Sequence, residues 1–367
     1  MTAVHTPAVA RPYSTARAVW LVAQREVMVR LRSVAFLVST GVMLLLLIGS
    51  VVVSAVVATT AEPPKVAVVP GVELPAESGL TVTEAVDRAE AEQLLRDGEV
   101  SAAIVPDDGP LGFAVVGDDS APLDVIQALS VAPPVELLDP AAASGGFVGY
   151  LVAIGFGIVF FIAAMTFGQT IAQSVVEEKQ TRVVEILLAT IPTRALLGGK
   201  ILGTTILAFG QIALLLAIAT IGLSFTGQSE LLTGLGMPFV WFAVFFVFGF
   251  VLLASLFAAT GAMVSRQEDI GSTTTPVTML VMIPYFVVIF FNDNPLVVGI
   301  MSYVPFSAPV GMPLRLFLGH AQWWEPIASL VILLLSCLAV IAVAARIYEN
   351  SLLRIGQRVK LGEALKG

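Results

Sequence analysis

The chain has 367 residues, 57% of them hydrophobic and only 13% charged, and its mean hydropathy is +0.93. A soluble domain of this length needs a polar surface over its core, whereas the few charges here gather between long apolar runs, so the composition excludes an ordinary soluble protein and describes a polytopic membrane protein. The formal net charge of -8 gives no basis for a nucleic-acid partner, and the single cysteine, Cys337, leaves neither a disulfide framework nor a thiolate metal site.

Residues 1–33 read as a cytoplasmic lead followed by an amphipathic interfacial helix. Met1 to Ala16 has no periodicity; from Arg17 to Ser33, Trp20, Ala23, Val27 and Leu31 recur at helical spacing, with Arg17, Gln24, Arg25 and Arg32 largely elsewhere. That pattern predicts a helix in the membrane interface with its cations near anionic headgroups. Residues 34–58 form the first transmembrane helix, an apolar run well beyond a signal-peptide core. Residues 59–146 turn acidic and are predicted to form an extracytoplasmic α/β domain, with strands at Lys65–Val69, Ser101–Val105 and Gly112–Val116 and helices at Ala89–Arg96 and Leu123–Leu129. The pairs Asp107-Asp108 and Asp118-Asp119 sit beside Gly and Pro and read as solvated turns in preference to cation ligands.

Residues 147–348 are predicted as a five-helix transmembrane region, with spans near 147–173, 201–225, 238–264, 276–291 and 327–347. Within it, 292–325 holds Pro295, Pro305, Pro309 and Pro313 among apolar residues and reads as an outer re-entrant segment, with Trp323 and Trp324 at headgroup level. Residues 349–367 form a basic cytoplasmic tail. The fold class is therefore an α-helical polytopic membrane protein of about six transmembrane helices with a small extracytoplasmic α/β domain between the first and second spans. With the amino terminus inside, Arg25, Arg30, Arg32, Lys179, Arg182, Arg194, Lys200, Arg266, Arg346, Arg354, Arg358, Lys360 and Lys366 all fall on the cytoplasmic side, and only Lys65, Arg88, Arg96 and Arg315 fall outside. This asymmetry predicts a plasma-membrane protein with both termini cytoplasmic.

The segment 174–200 interrupts the apolar runs with charges of both signs. Glu177, Glu178, Lys179, Arg182 and Glu185 stand three or four apart, so that on a helix Glu178 faces Arg182 and Arg182 faces Glu185, while Val183, Val184, Ile186, Leu187 and Leu188 fill the other side. Pro192 ends the pattern, and a second helix restarts toward Lys200. Helix, break and helix between two spans make a rigid handle on the membrane surface; the plainer reading is a solvated loop. No carboxylate, lysine or arginine falls at mid-depth in the spans, which disfavours an ion-coupled carrier. Gln169, Gln173 and Gln211 lie there instead, either lining a pathway or bonding between helices. Gly199-Lys200 is followed by Ile201, with Arg194 where a phosphate-binding loop has its first glycine, and neither His5 nor His320 has a partner at catalytic or metal-ligand spacing. The chain is thus expected to bind no cofactor or metal and to be no enzyme.

Glu177-Glu178-Lys179, Arg182, Glu185, Leu187, Pro192 and Gly199-Lys200 together resemble the signature of type-two ABC-transporter permeases, in particular the sodium-efflux-permease-like branch. The segment Val304 to Pro309 with Met312-Pro313-Leu314-Arg315, the tail from Leu352 through Leu361, and the order of one span, an outer domain and five spans are similar to that family as well; the outer domain is shorter than is usual in the branch. The resemblance implies a permease subunit that pairs with a second permease chain, as homo- or heterodimer, within membrane lipid. It implies two cytoplasmic ABC ATPase subunits that carry ATP and Mg, and export of a sodium ion, drug, lipid or peptide. It also makes the handle a coupling helix, with Glu177, Glu178, Lys179, Arg182, Glu185, Pro192 and Lys200 meeting the ATPase. Two other classes compete: an ATP-independent membrane carrier, and a membrane-anchored sensor or scaffold with an outer ligand-binding domain.

Overall fold

The computed structural model describes residues 14–60, 63–72, 79–107, 112–118, 122–129, 146–181, 183–225, 229–354 and 359–366. The chain divides into two compact units, Met1–Val52 with Asp139–Gly367, and Val53–Leu138. It opens with α1 (Thr15–Leu31) and α2 (Val34–Thr60), the latter 27 residues without a charge.

The smaller unit is a four-stranded sheet in the order β2-β1-β3-β4, built from β1 (Lys65–Val68), β2 (Thr81–Glu84), β3 (Ala102–Pro106) and β4 (Phe113–Val116). β1 pairs parallel with both β2 and β3, and β3 pairs antiparallel with β4. The central strands β1 and β3 are buried on both faces, which explains their continuous apolar reading. Ala67, Ala103 and Val105 face Ala91 and Leu95 of α3 (Arg88–Arg96), and Val66, Ala102 and Ile104 face Val125 of α4 (Leu123–Leu129). α3 is capped by Asp87, whose Oδ1 accepts from the Glu90 amide at 2.9 Å, while Glu90 Oε2 accepts from the Val86 amide. β2 is a strand the sequence reading lacked: Thr81-Val82-Thr83-Glu84 is exposed at the sheet edge and carries no apolar alternation. Asp108 and Asp119 lie outside the described residues.

The larger unit continues with α5 (Gly146–Gln180), α6 (Val183–Leu188), α7 (Thr193–Phe225), α8 (Ser229–Ala262), α9 (Ile270–Phe290), α10 (Pro295–Met301), α11 (Ala308–Phe317), α12 (Glu325–Leu352) and α13 (Leu361–Lys366). Among the described residues five helices, α5, α7, α8, α9 and α12, are long and apolar enough to cross a membrane, and α1 with α2 adds a sixth if the pair, bent by 66°, counts as one span. The chain is thus a mostly helical polytopic membrane protein with a small sheet near its amino terminus.

α8 is the central helix, with 67% of its spanning window buried against 22% for α12. One face is an aromatic ladder of Phe242, Phe246 and Phe250 at helical spacing, met by Phe156, Phe160 and Phe167 of α5 at centroid distances of 4.7, 5.9 and 6.1 Å. At the far end of this seam the helices come closer still. A Cβ on Gly261 would stand 2.8 Å from the Ala172 carbonyl oxygen, so only glycine permits that approach. The segment between α9 and α12 is not wholly interfacial: Ala308 through Leu314 of α11 are buried, with Pro309 packed where Gly249 of α8 leaves room, while Trp323 and Trp324 remain exposed. Arg315 closes this segment through Nη2, which donates to both carboxylate oxygens of Glu325 at 3.1 and 2.9 Å.

α1 turns Ala18, Val22, Ala23 and Glu26 inward; of the apolar stripe Trp20, Ala23, Val27 and Leu31 only Ala23 is fully buried, and Trp20 is 50% exposed. The reason lies on α7, where Gly199 and Gly203 admit α1 at backbone contact: a Cβ on Gly203 would stand 2.7 Å from the Ala23 carbonyl oxygen. The tail packs back onto the helices: Val359 and Ala364 are buried with Met263 and Ile347, and the Val359 amide donates to the Met263 carbonyl at 2.9 Å.

Candidate functional site

The charged interruption in the sequence is built from the last turns of α5, the short α6 and the first turns of α7. α5 does not stop near residue 173 but runs to Gln180. The chain turns through α6, whose Leu187 carbonyl accepts from the amides of Thr190 and Ile191. Pro192 then sits just ahead of α7, where its missing N–H costs nothing and its carbonyl accepts from Ala195 and Leu196.

These residues separate into an outward and an inward set. Glu177, Val183, Glu185, Ile186 and Pro192 are exposed, Ile186 at 72%, and Val184 alone on α6 is fully buried. Lys179 and Lys200 are each 1% exposed, which corrects the expectation that they project toward a partner. Glu178 also points inward, and its partners are Arg25 and Lys200. Arg182, expected to pair with Glu178 and Glu185, lies outside the described residues.

The inward charges form two joints. At the first, Lys200 Nζ stands 3.1 Å from Glu26 Oε1 and 3.0 Å from Glu178 Oε2, and donates to Ser174 Oγ at 2.5 Å. Arg25 Nη2 bonds Glu26 Oε1 at 2.8 Å and also pairs with Glu178. Two cations and two carboxylates from α1, α5 and α7 therefore neutralise one another, which is the condition for keeping charge out of water. The Lys200 approach to Glu178 is an ion pair off the hydrogen-bond axis, so Glu178 Oε2 has no hydrogen-bond donor among the described residues. Tyr348 of α12 is fully buried, and its hydroxyl also has no partner among the described residues. Glu26, on α1 ahead of the spanning helices, is pushed up by burial, but Lys200 and Arg25 outweigh this and hold its carboxyl below the usual range.

At the second joint Lys179 Nζ donates to the carbonyls of Ala262 at 2.8 Å and Ser351 at 2.9 Å. These are the last turns of α8 and α12: Lys179 supplies the Ala262 carbonyl with a donor, joins the Arg354 amide at the Ser351 carbonyl, and complements both helix dipoles. One turn of α5 thus ties together α1, α7, α8 and α12. By contrast Arg194 and Glu349 pair at 2.7 Å in the open.

The glutamines do not share one environment. Gln169 Nε2 donates to Thr274 Oγ1 of α9 at 3.2 Å, the interhelical reading; Gln173 is exposed; Gln211 faces open space between α2, α5, α7 and α8. Among the described residues no group of three or more His, Cys, Asp or Glu is placed to hold a metal. Sequence reasoning missed Arg25 and Glu26 as partners of the handle. The available signal was an acid among basic residues on a helix that presents small residues, matched by Gly199 and Gly203 beside Lys200.

A family profile described as "ABC-2 family transporter protein" matches residues 34–346. The chain is 29% identical over 218 residues to the uncharacterized protein YhaP of Bacillus subtilis, covering 56% of this chain and 52% of YhaP. It is 26% identical over 223 residues to the uncharacterized protein MJ1024 of Methanocaldococcus jannaschii, covering 60% and 54%. The chain thus spans about half the length of these curated relatives. No solved structure matches it.

Proposed function

The chain belongs to the ABC-2 family of transporter proteins, and from that premise we propose that it is the permease of an ATP-driven exporter, moved by hydrolysis on a separate cytoplasmic ABC ATPase subunit. ATP and Mg then belong to that partner, a second permease chain completes the pathway, and the lysine and arginine asymmetry puts both termini in the cytoplasm of a plasma-membrane protein. The observation that carries the coupling role is the division of the handle. Glu177, Val183, Glu185 and Ile186 stand outward on an element whose base is fixed by Lys179 and Lys200 to four other helices. A load applied to α6 meets a buried, charge-paired base, so it moves helices instead of bending a loop. The contact surface is narrower than the full charged motif: Glu178, Lys179 and Lys200 serve the base, and Glu177, Glu185 and Ile186 meet the partner.

The test compares Ile186→Asp and Glu185→Arg with the unaltered chain after tagged purification from the native membrane. The readouts are the amount of a co-purifying chain that carries a phosphate-binding loop, and ATP hydrolysis. Both variants should retain the melting temperature, because the residues are exposed, and should lose the ATPase by roughly tenfold or more. Normal assembly and normal hydrolysis in both would remove α6 from the interface.

A further inference from the structure

Far from the charged joints, α2, α5, α7 and α8 surround a half-enclosed cavity of about 620 Å³. We infer that this cavity binds an uncharged, largely apolar molecule that carries one or two hydrogen-bonding groups, entering from the bilayer; the inference deepens the transporter reading by naming a substrate class. The volume is that of a small-molecule site. Met43, Phe156, Leu215 and Phe242 are typical of the walls, and among the described residues no Asp, Glu, Lys, Arg or His lines it.

Two polar side chains reach the space, and both have bonding capacity left. On α7, Thr204, Thr205 and Thr220 turn their hydroxyls onto the carbonyl four residues earlier. Thr166 is exposed to the cavity and makes no such bond. Gln211 directs its amide N–H only at the Met43 sulfur, 3.6 Å away and a weak acceptor, and its carbonyl accepts nothing among the described residues.

Depth points the same way. At 1.5 Å per residue, Thr166 lies about 18 Å along α5 from Glu178 and Gln211 about 16 Å along α7 from Lys200, near the middle of a hydrocarbon layer roughly 30 Å thick. An unsatisfied hydroxyl and amide at that depth face acyl chains unless a ligand supplies partners. A metal cation is a poor fit, because a hard cation needs about six or more oxygen ligands and this lining has two side-chain oxygens.

The test uses Nile red, an uncharged apolar dye whose carbonyl accepts hydrogen bonds, with the purified chain in phosphatidylcholine nanodiscs and no ATPase present. The unaltered chain should show a saturable blue shift above partition into empty discs. Gly155→Leu places its side chain in the cavity, where a Cβ meets nothing within 4 Å, and should abolish saturation. Gly41→Leu, equally unhindered and outside the lining, should not. Thr166→Val with Gln211→Leu should weaken binding roughly tenfold at unchanged melting temperature. Equal linear partition in the unaltered chain and Gly155→Leu would mean that acyl chains merely fill the space, and a saturable response to sodium chloride but not the dye would assign a cation; either overturns the inference. Loss of a dimer in Gly155→Leu with dye binding unchanged would also overturn it, giving the surface to a second copy. Failure of the dye leaves the ATPase test untouched, and the reverse also holds.

Discussion

Lys200 on α7 and Glu26 on α1 stand 3.1 Å apart although 174 residues separate them, and Lys200 is 1% exposed. The pair is the innermost part of a neutral cluster, so its members stabilise the fold only together. Lys200→Met leaves the largely buried Glu26 and Glu178 sharing Arg25, whose side chain is 37% exposed, and should cost up to about 3 kcal/mol. Combining it with Glu26→Leu should cost less than the sum of the single changes, since the double variant strands one carboxylate fewer. Arg194→Ala, on the same helix but in an exposed pair, should leave the melting temperature unchanged. Thermal unfolding of these four variants beside the unaltered chain in detergent checks this, and strict additivity of the two buried changes would mean that the pair is uncoupled.

Tyr348 should behave in the opposite way. Its hydroxyl is buried without a partner among the described residues, so this conformation gains nothing from it. Tyr348→Phe removes an unsatisfied polar group while keeping the ring, and such changes are neutral or stabilising. The melting temperature should hold or rise. A loss comparable to that of Lys200→Met would mean that the hydroxyl bonds to the cluster in the protein's main state.

Topology gives a third outcome. In a chain whose Cys337 is replaced by Ala, a cysteine at Ser101, exposed in the smaller unit, should react with an impermeant thiol reagent in intact cells. One at Thr181, exposed after α5, should react only once the membrane is opened. The reverse labelling would invert the orientation derived from lysine and arginine.

Composition and charge clustering were enough to determine the polytopic class, the order of helices around a small α/β segment, and the handle with its break at Pro192, because apolar run length and proline chemistry act locally. The strands at Val66 and Ile104 were legible for the same reason, whereas the exposed edge strand at Thr81 carried no pattern. The partners of the handle's charges were not legible. Helical spacing offered Glu178 a neighbour at position 182, but glycines 199 and 203 let α1 approach α7 at backbone contact, bringing Arg25 and Glu26 to Lys200 and Glu178. Lys179 likewise read as part of the partner-facing motif, whereas the ends of α8 and α12 converge on it and their carbonyls accept from its ammonium. Sequence reports which groups must escape lipid. Only tertiary packing decides whether they escape into water or onto one another, because that depends on how closely distant backbones are able to approach.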